Sequence, residues 1–146
     1  MVCGGGIAKH GRLAVEEGKQ SLLRELCGND AEQVTSPMVF EAAERGDEVA
    51  IAILKRVAVL LGRLCANVVL TMQPEKIVIV GGLAERCDWV LGTINQTMRD
   101  NCWLLFKELT QCEVIASGLG DTVGVLGAIC KAQRTIEKLV GKEVTQ

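Results

Sequence analysis

The chain has 146 residues, 49% of them apolar and only 3% aromatic, with no tyrosine and a net charge of −2. That is one domain's worth of sequence, able to build an aliphatic core and too apolar for disorder. Basic residues such as Arg12, Lys55, Arg63 and Lys131 are scattered, so no electrostatic footprint for nucleic acid exists, and ring-stacking sites are excluded.

No apolar run reaches the roughly 18–20 residues of a membrane span, and neither a signal peptide nor a membrane partner is expected. Seven cysteines (Cys3, Cys27, Cys65, Cys87, Cys102, Cys112 and Cys130) form no Cys-x-x-Cys pair. An odd count without that spacing argues against a disulfide framework or a zinc site, and for reduced thiols in the cytoplasm. Cys65 and Cys130 fall on apolar helix faces, where a thiol packs as a small hydrophobe.

In chain order, Gly4, Gly5 and Gly6 precede a helical pattern from about Ile7 to Cys27, with Gly28 as its carboxyl cap. After a polar linker, Thr35 or Ser36 caps a short helix from Met38 to Arg45, with Pro37 in the first turn. Gly46 stops it. Asp47 caps the next helix, whose apolar positions Ile53, Leu54, Val57, Leu60, Leu61, Leu64, Cys65, Val68, Val69 and Met72 keep helical spacing. That stripe predicts a central helix about 36 Å long, closed by Gln73-Pro74. Gly62 and Ala66 thin one side of it for a close neighbour.

Lys76 to Val80 is a strand that runs directly into Gly81 and Gly82. Asp88 caps a helix from Trp89 to about Asn101, and Trp103 to Phe106 suggests an apolar cap or interface. Cys112 to Ser117 is a second strand, Gly118-Leu119-Gly120-Asp121 a turn, and Thr122 to Val140 a final helix. Residues 141–146 form a polar tail that is expected to fray. Glycine costs about 1 kcal/mol inside a helix, so Gly124 and Gly127 predict close packing of that last helix. The order is α-α-α-β-α-β-α, an α/β class with too few strands for an independent sheet. It predicts one part of a larger unit.

The chemistry on offer is sparse. His10, the sole histidine, lies among Lys9 and Arg12 and is expected on the surface, without partners for a metal site. Asp121 is either a helix cap or a carboxylate near phosphates or their metal. Gly81 and Gly82 admit two readings: a tight strand-to-helix turn, or a backbone that lets a ligand approach. Ligands of open α/β sheets collect at that end of the strands. No G-x-x-x-x-G-K-[ST] segment occurs, which excludes a P-loop enzyme.

Three segments, in order, resemble the carboxyl-terminal half of the ROK family of sugar kinases and repressors, which includes glucokinase-like and N-acetylmannosamine-kinase-like proteins. They are Val39-Phe40-Glu41-Ala42-Ala43-Glu44-Arg45-Gly46-Asp47, Met72-Gln73-Pro74-Glu75-Lys76-Ile77-Val78-Ile79-Val80-Gly81-Gly82, and Ser117-Gly118-Leu119-Gly120-Asp121-Thr122-Val123-Gly124-Val125-Leu126-Gly127-Ala128. The resemblance covers about Ile7 to Lys131. It implies the second lobe of an actin-like (ribonuclease-H-like) fold that binds ATP, with Mg2+, and a sugar in a cleft between two lobes. It also implies nucleotide contacts at Gly81, Gly82, Leu83, Gly120 and Asp121. Leu83 stands where the family has a third glycine.

The family's D-x-G-G-T phosphate segment, its N-D-A-N segment with the general base, and its zinc- and sugar-binding segment do not occur in these residues. Phosphoryl transfer needs a base and a metal to neutralise phosphate charge, so the chain alone is expected to lack kinase activity. What the resemblance implies is the nucleotide-binding lobe of an ATP-dependent kinase for a hexose or N-acetylhexosamine. A complementary amino-terminal lobe or a second copy would be its partner. The alternative is a non-catalytic effector or oligomerisation domain of a ROK-type repressor.

Overall fold

The computed structural model describes residues 3–81, 87–106 and 111–143, without the side chains of 103–106, 121 and 140–143. Helix α1 spans Gly4–Glu16, α2 Leu23–Leu26, α3 Ser36–Glu44 and α4 Glu48–Met72. Strand β1 (Lys76–Ile79) follows, then α5 (Asp88–Phe106), strand β2 (Glu113–Ala116) and α6 (Val123–Glu143). Short 3-10 turns at Ala31–Gln33 and Gly120–Thr122 complete the order.

The helix anticipated from Ile7 to Cys27 is broken. Gly18 takes φ of 72°, and the Lys19 N–H returns to the Ala14 carbonyl, which ends α1 at Glu16. Gly28 and Gly46 adopt positive φ as helix stops. Thr35 occupies the cap position of α3, but its side chain makes no capping bond.

Asp47 does more than cap α4. Its Oδ1 accepts from the Ala50 N–H at 2.7 Å and from Ser21 Oγ at 3.1 Å, and its Oδ2 accepts from the Leu22 N–H at 2.7 Å. One buried carboxylate therefore satisfies amides at the starts of both α2 and α4.

Helix α4 is central, but its buried stripe is rotated from the one its largest side chains suggest. Ala50, Leu54, Val57, Ala58, Gly62, Cys65, Ala66 and Val69 face the core. Leu64 and Met72 are exposed instead, at 52% and 75%. The small residues win because α5 packs there. A Cβ on Gly62 would lie 2.5 Å from Thr97 Cβ and 2.8 Å from the Ile94 carbonyl oxygen. Against this groove α5 sets Val90, Ile94, Met98 and Cys102, all buried. On the other flank of α4, Ile7, Leu23, Val34, Val39 and Phe40 extend the same core.

Helix α5 begins at Asp88 itself and runs on to Phe106, beyond the Asn101 limit set by the sequence pattern. The Trp103–Phe106 segment is helical backbone, and its side chains lie outside the described residues. The two strands are parallel, with Lys76 opposite Glu113 and Ile79 opposite Ala116. Ile77 and Ile79 are half-buried, whereas Val78 and Val80 are exposed at 54% and 57%. A parallel sheet is ordinarily covered on both faces; among the described residues this one is covered on one.

Helix α6 departs furthest from expectation. It continues to Glu143, into the segment taken for a polar tail, and it is exposed from Gly124 to Leu139. A Cβ on Gly124 or Gly127 would meet nothing within 4 Å among the described residues, so neither glycine serves close packing against them. Cys130 is exposed with them, unlike buried Cys65.

Candidate functional site

Both strands leave the sheet at the same edge, β1 through Val80-Gly81 and β2 through Ser117-Gly118. The Ser117 N–H donates to the Ile79 carbonyl at 2.9 Å, carrying the ladder one step past β2. Gly81 then takes φ of 110°, a conformation closed to most side chains, and a Cβ there would meet nothing within 4 Å among the described residues. Gly120 takes φ of 54° in the second turn. Two glycine turns thus flank one another at the carboxyl ends of parallel strands.

The second turn is held by short-range bonds. Ser117, buried, accepts the Leu119 N–H on its Oγ at 3.3 Å. Thr122 Oγ1 donates to the Leu119 carbonyl at 2.6 Å. Leu119 itself is exposed at 56% beside open space at Gly118. From this turn α6 starts, with no acidic residue in its first turn, so its amide-rich positive end faces the same edge. Such an edge can offer backbone donors to an anionic group.

Of the residues singled out in the sequence, the structure brings Gly81 and Gly120 together at this edge. Asp121 contributes backbone to the 3-10 turn, and its side chain is outside the described residues, as are Gly82 and Leu83 altogether. Among the described residues, no group of three or more His, Cys, Asp or Glu converges as a metal site.

A second concavity was not legible in the sequence. A groove of about 640 Å3 runs between α1 and α4, floored by Leu13, Ala14, Ile53 and Leu60 and rimmed by His10 and Arg56. His10 is half-buried there rather than freely exposed. On the rim, Lys19 Nζ pairs with Glu17 at 2.8 Å.

Thiol chemistry is divided by burial. Desolvation holds the Cys65, Cys102 and Cys112 thiols above their ordinary range, the neighbouring Cys112 adding to the shift at the first two. Cys3 is held below its range by a hydrogen bond from the Gly6 backbone and by the nearby amino terminus.

Parallel strands with helical cover and paired glycine turns at their carboxyl edge define an α/β lobe. The chain belongs to the ROK family, whose sequence pattern matches residues 3–135. It is 33% identical over 122 residues to the glucokinase of Halalkalibacterium halodurans, a match covering 84% of this chain and 36% of that protein. To the glucokinase of Thermotoga maritima it is 31% identical over 108 residues, covering 74% and 33% of the two chains. The chain thus spans about a third of the length of the curated relatives it matches.

In three dimensions it is similar to a ROK family glucokinase from Streptomyces griseus, solved in complex with glucose and AMPPNP. That likeness has a TM-score of 0.72 at 23% identity, over 84% of this chain and 39% of the other. A ROK family transcriptional regulator, a homologue of the E. coli MLC protein, matches with a TM-score of 0.62 at 23% identity, over 77% and 27%. The fold is therefore the actin-like fold of ROK sugar kinases, here helix-rich with a small parallel sheet. No helix among the described residues is long and apolar enough to cross a membrane.

Proposed function

We propose that residues 1–146 form a single nucleotide-binding domain, the carboxyl-terminal half of an ATP-dependent sugar kinase acting on a hexose or N-acetylhexosamine in the cytoplasm. The observation that carries this reading is the pairing of the Gly81 and Gly118–Gly120 turns at one strand edge, beside the start of α6. In this reading Gly81, Gly82, Leu83, Gly120 and Asp121 line the nucleotide, and ATP brings Mg2+ with it. The AMPPNP complex of the Streptomyces griseus relative supports the choice of ligand.

The base and the sugar-binding groups come from a complementary lobe. The bare edge of β1 is the natural place for it, since a two-stranded parallel sheet is not stable in isolation. Alone, the chain transfers no phosphoryl group. Phosphorylation of glucose or N-acetylmannosamine by the purified chain would refute that part.

Calorimetry with ATP and with ADP tests the site, using wild type, Gly82→Val and Gly118→Val. Gly118 has open space around it and no positive φ, so valine there adds bulk without backbone strain. Binding by wild type and a loss of tenfold or more in both variants is the expected outcome. Equal affinity in all three proteins, or no nucleotide binding by wild type, removes the reading and leaves the effector-domain alternative.

A further inference from the structure

The groove between α1 and α4 takes no part in the strand-edge site, and its lining is chemically selective. Its wall is aliphatic, made of Leu13, Ala14, Val49, Ile53, Val57 and Leu60, and no Phe, Trp, Asn, Gln, Ser or Thr lines it. A sugar or a nucleobase would find neither hydrogen-bond partners nor a stacking platform on that wall. An extended peptide would strand its backbone amides there in the same way. At about 640 Å3 the space falls within the roughly 300–1,000 Å3 of small-molecule sites.

Charge is divided along the groove. At one end Lys19 is neutralised by Glu17 at 2.8 Å. Glu48 there sits in the first turn of α4, where the helix dipole favours a carboxylate. His10 and Arg56, by contrast, make no ion pair and no hydrogen bond among the described residues. Arg56 and Leu60 also line an adjoining concavity of about 420 Å3, which adds Lys55 and Arg63 and no acidic residue. An aliphatic wall thus ends in uncompensated positive charge.

The groove follows the first half of α4, from Val49 to Leu60, whereas the bare strand edge lies beyond the other end of that helix. Leu60 stands about 18 Å of helix short of Met72, at 1.5 Å per residue. Strands that widen the sheet therefore add away from the groove.

We propose that this groove binds a small amphipathic anion, its alkyl body against Leu13, Ile53 and Leu60 and its oxyanion head between His10 and Arg56. The head is a carboxylate or a phosphate, since a guanidinium binds either. The inference does not depend on the nucleotide reading.

Calorimetry on the 146-residue chain with octanoate, octyl phosphate and neutral octanol tests it. Wild type should bind both anions, and the tighter of the two assigns the head. Arg56→Gln should weaken both anions tenfold or more and leave octanol unchanged, a split that loss of the fold would not produce. Ala52→Phe, at an exposed position on the groove wall, should abolish binding of all three. Arg99→Gln, which removes an exposed charge on α5, should bind as wild type does. The proposal is overturned by a wild type that binds neither anion, or by an Arg56→Gln variant that keeps its anion affinity. Undiminished binding by Ala52→Phe also overturns it, because the alkyl chain would then rest on apolar surface elsewhere.

Discussion

Asn95 on α5 treats Val114 on β2 as a neighbouring strand would. Its Nδ2 donates to the Val114 carbonyl at 2.8 Å, and its Oδ1 accepts the Val114 N–H at 2.9 Å. The Ser117 N–H points to β1, so by strand alternation the polar groups of Val114 point away from it. The side-chain amide closes the edge of the sheet that β1 does not.

Asn95→Leu should therefore cost more than a surface change. Val114 is 1% exposed, and the substitution strands its N–H and C=O away from water. A loss of about 2 kcal/mol is expected, read from the urea unfolding midpoint. A midpoint equal to wild type would show that Val114 finds other partners.

Two glycines on packed helices should respond with opposite signs. Gly62→Ala drives a methyl against Thr97 and the Ile94 carbonyl and should destabilise by about 2 kcal/mol. Gly92→Ala, where a Cβ meets nothing within 4 Å, should stabilise by about 1 kcal/mol through helix propensity. Thermal melts of the two single variants read both signs in one experiment.

Asp47→Ala removes the acceptor shared by Ala50, Leu22 and Ser21. A loss of about 3 kcal/mol is expected, more than one helix cap supplies, because two helix starts lose an acceptor. Hydrogen exchange should quicken at the Leu22 and Ala50 amides together. Acceleration at Ala50 alone would mean that α2 is held by other contacts.

Alkaline conditions should weaken the fold. Cys65, Cys102 and Cys112 have thiol pKa values raised by burial, so the folded state favours their protonated forms. Their contribution is present below the ordinary thiol range and is lost as pH rises past about 8.5 towards the folded values. The melting temperature should fall across that window, and Cys65→Ala/Cys102→Ala/Cys112→Ala should flatten the fall. An unchanged slope in the triple variant would assign it to other groups.

Much of this was legible in the sequence because it rests on local rules. Asp47 before an apolar helix, Pro74 after it and Gly81 after a strand each act within a few residues, and each sits where its chemistry puts it. The two glycine turns were visible as segments, but their adjacency is a product of parallel pairing, which no local pattern encodes. The buried face of α4 was legible in part: Leu54, Val57, Cys65 and Val69 are buried and Gly62 admits α5 closely, as the sequence suggested, whereas Leu64 and Met72 face outward because the small residues take the contact. Gly18 broke a helix that looked continuous, since apolar periodicity does not register a left-handed residue. The groove between α1 and α4 depends on how two helices splay, and only the structure holds that.

The capped edge at Val114 also gives the sheet a direction. With Asn95 closing the far side of β2, any further strand must add beside β1. β1 then becomes an interior strand and β2 remains the margin, with α5 as its wall. Gly81 would lie inboard, towards the middle of the widened sheet, and the Gly118–Gly120 turn outboard. A ligand resting across both turns would reach from the centre of the lobe to its rim.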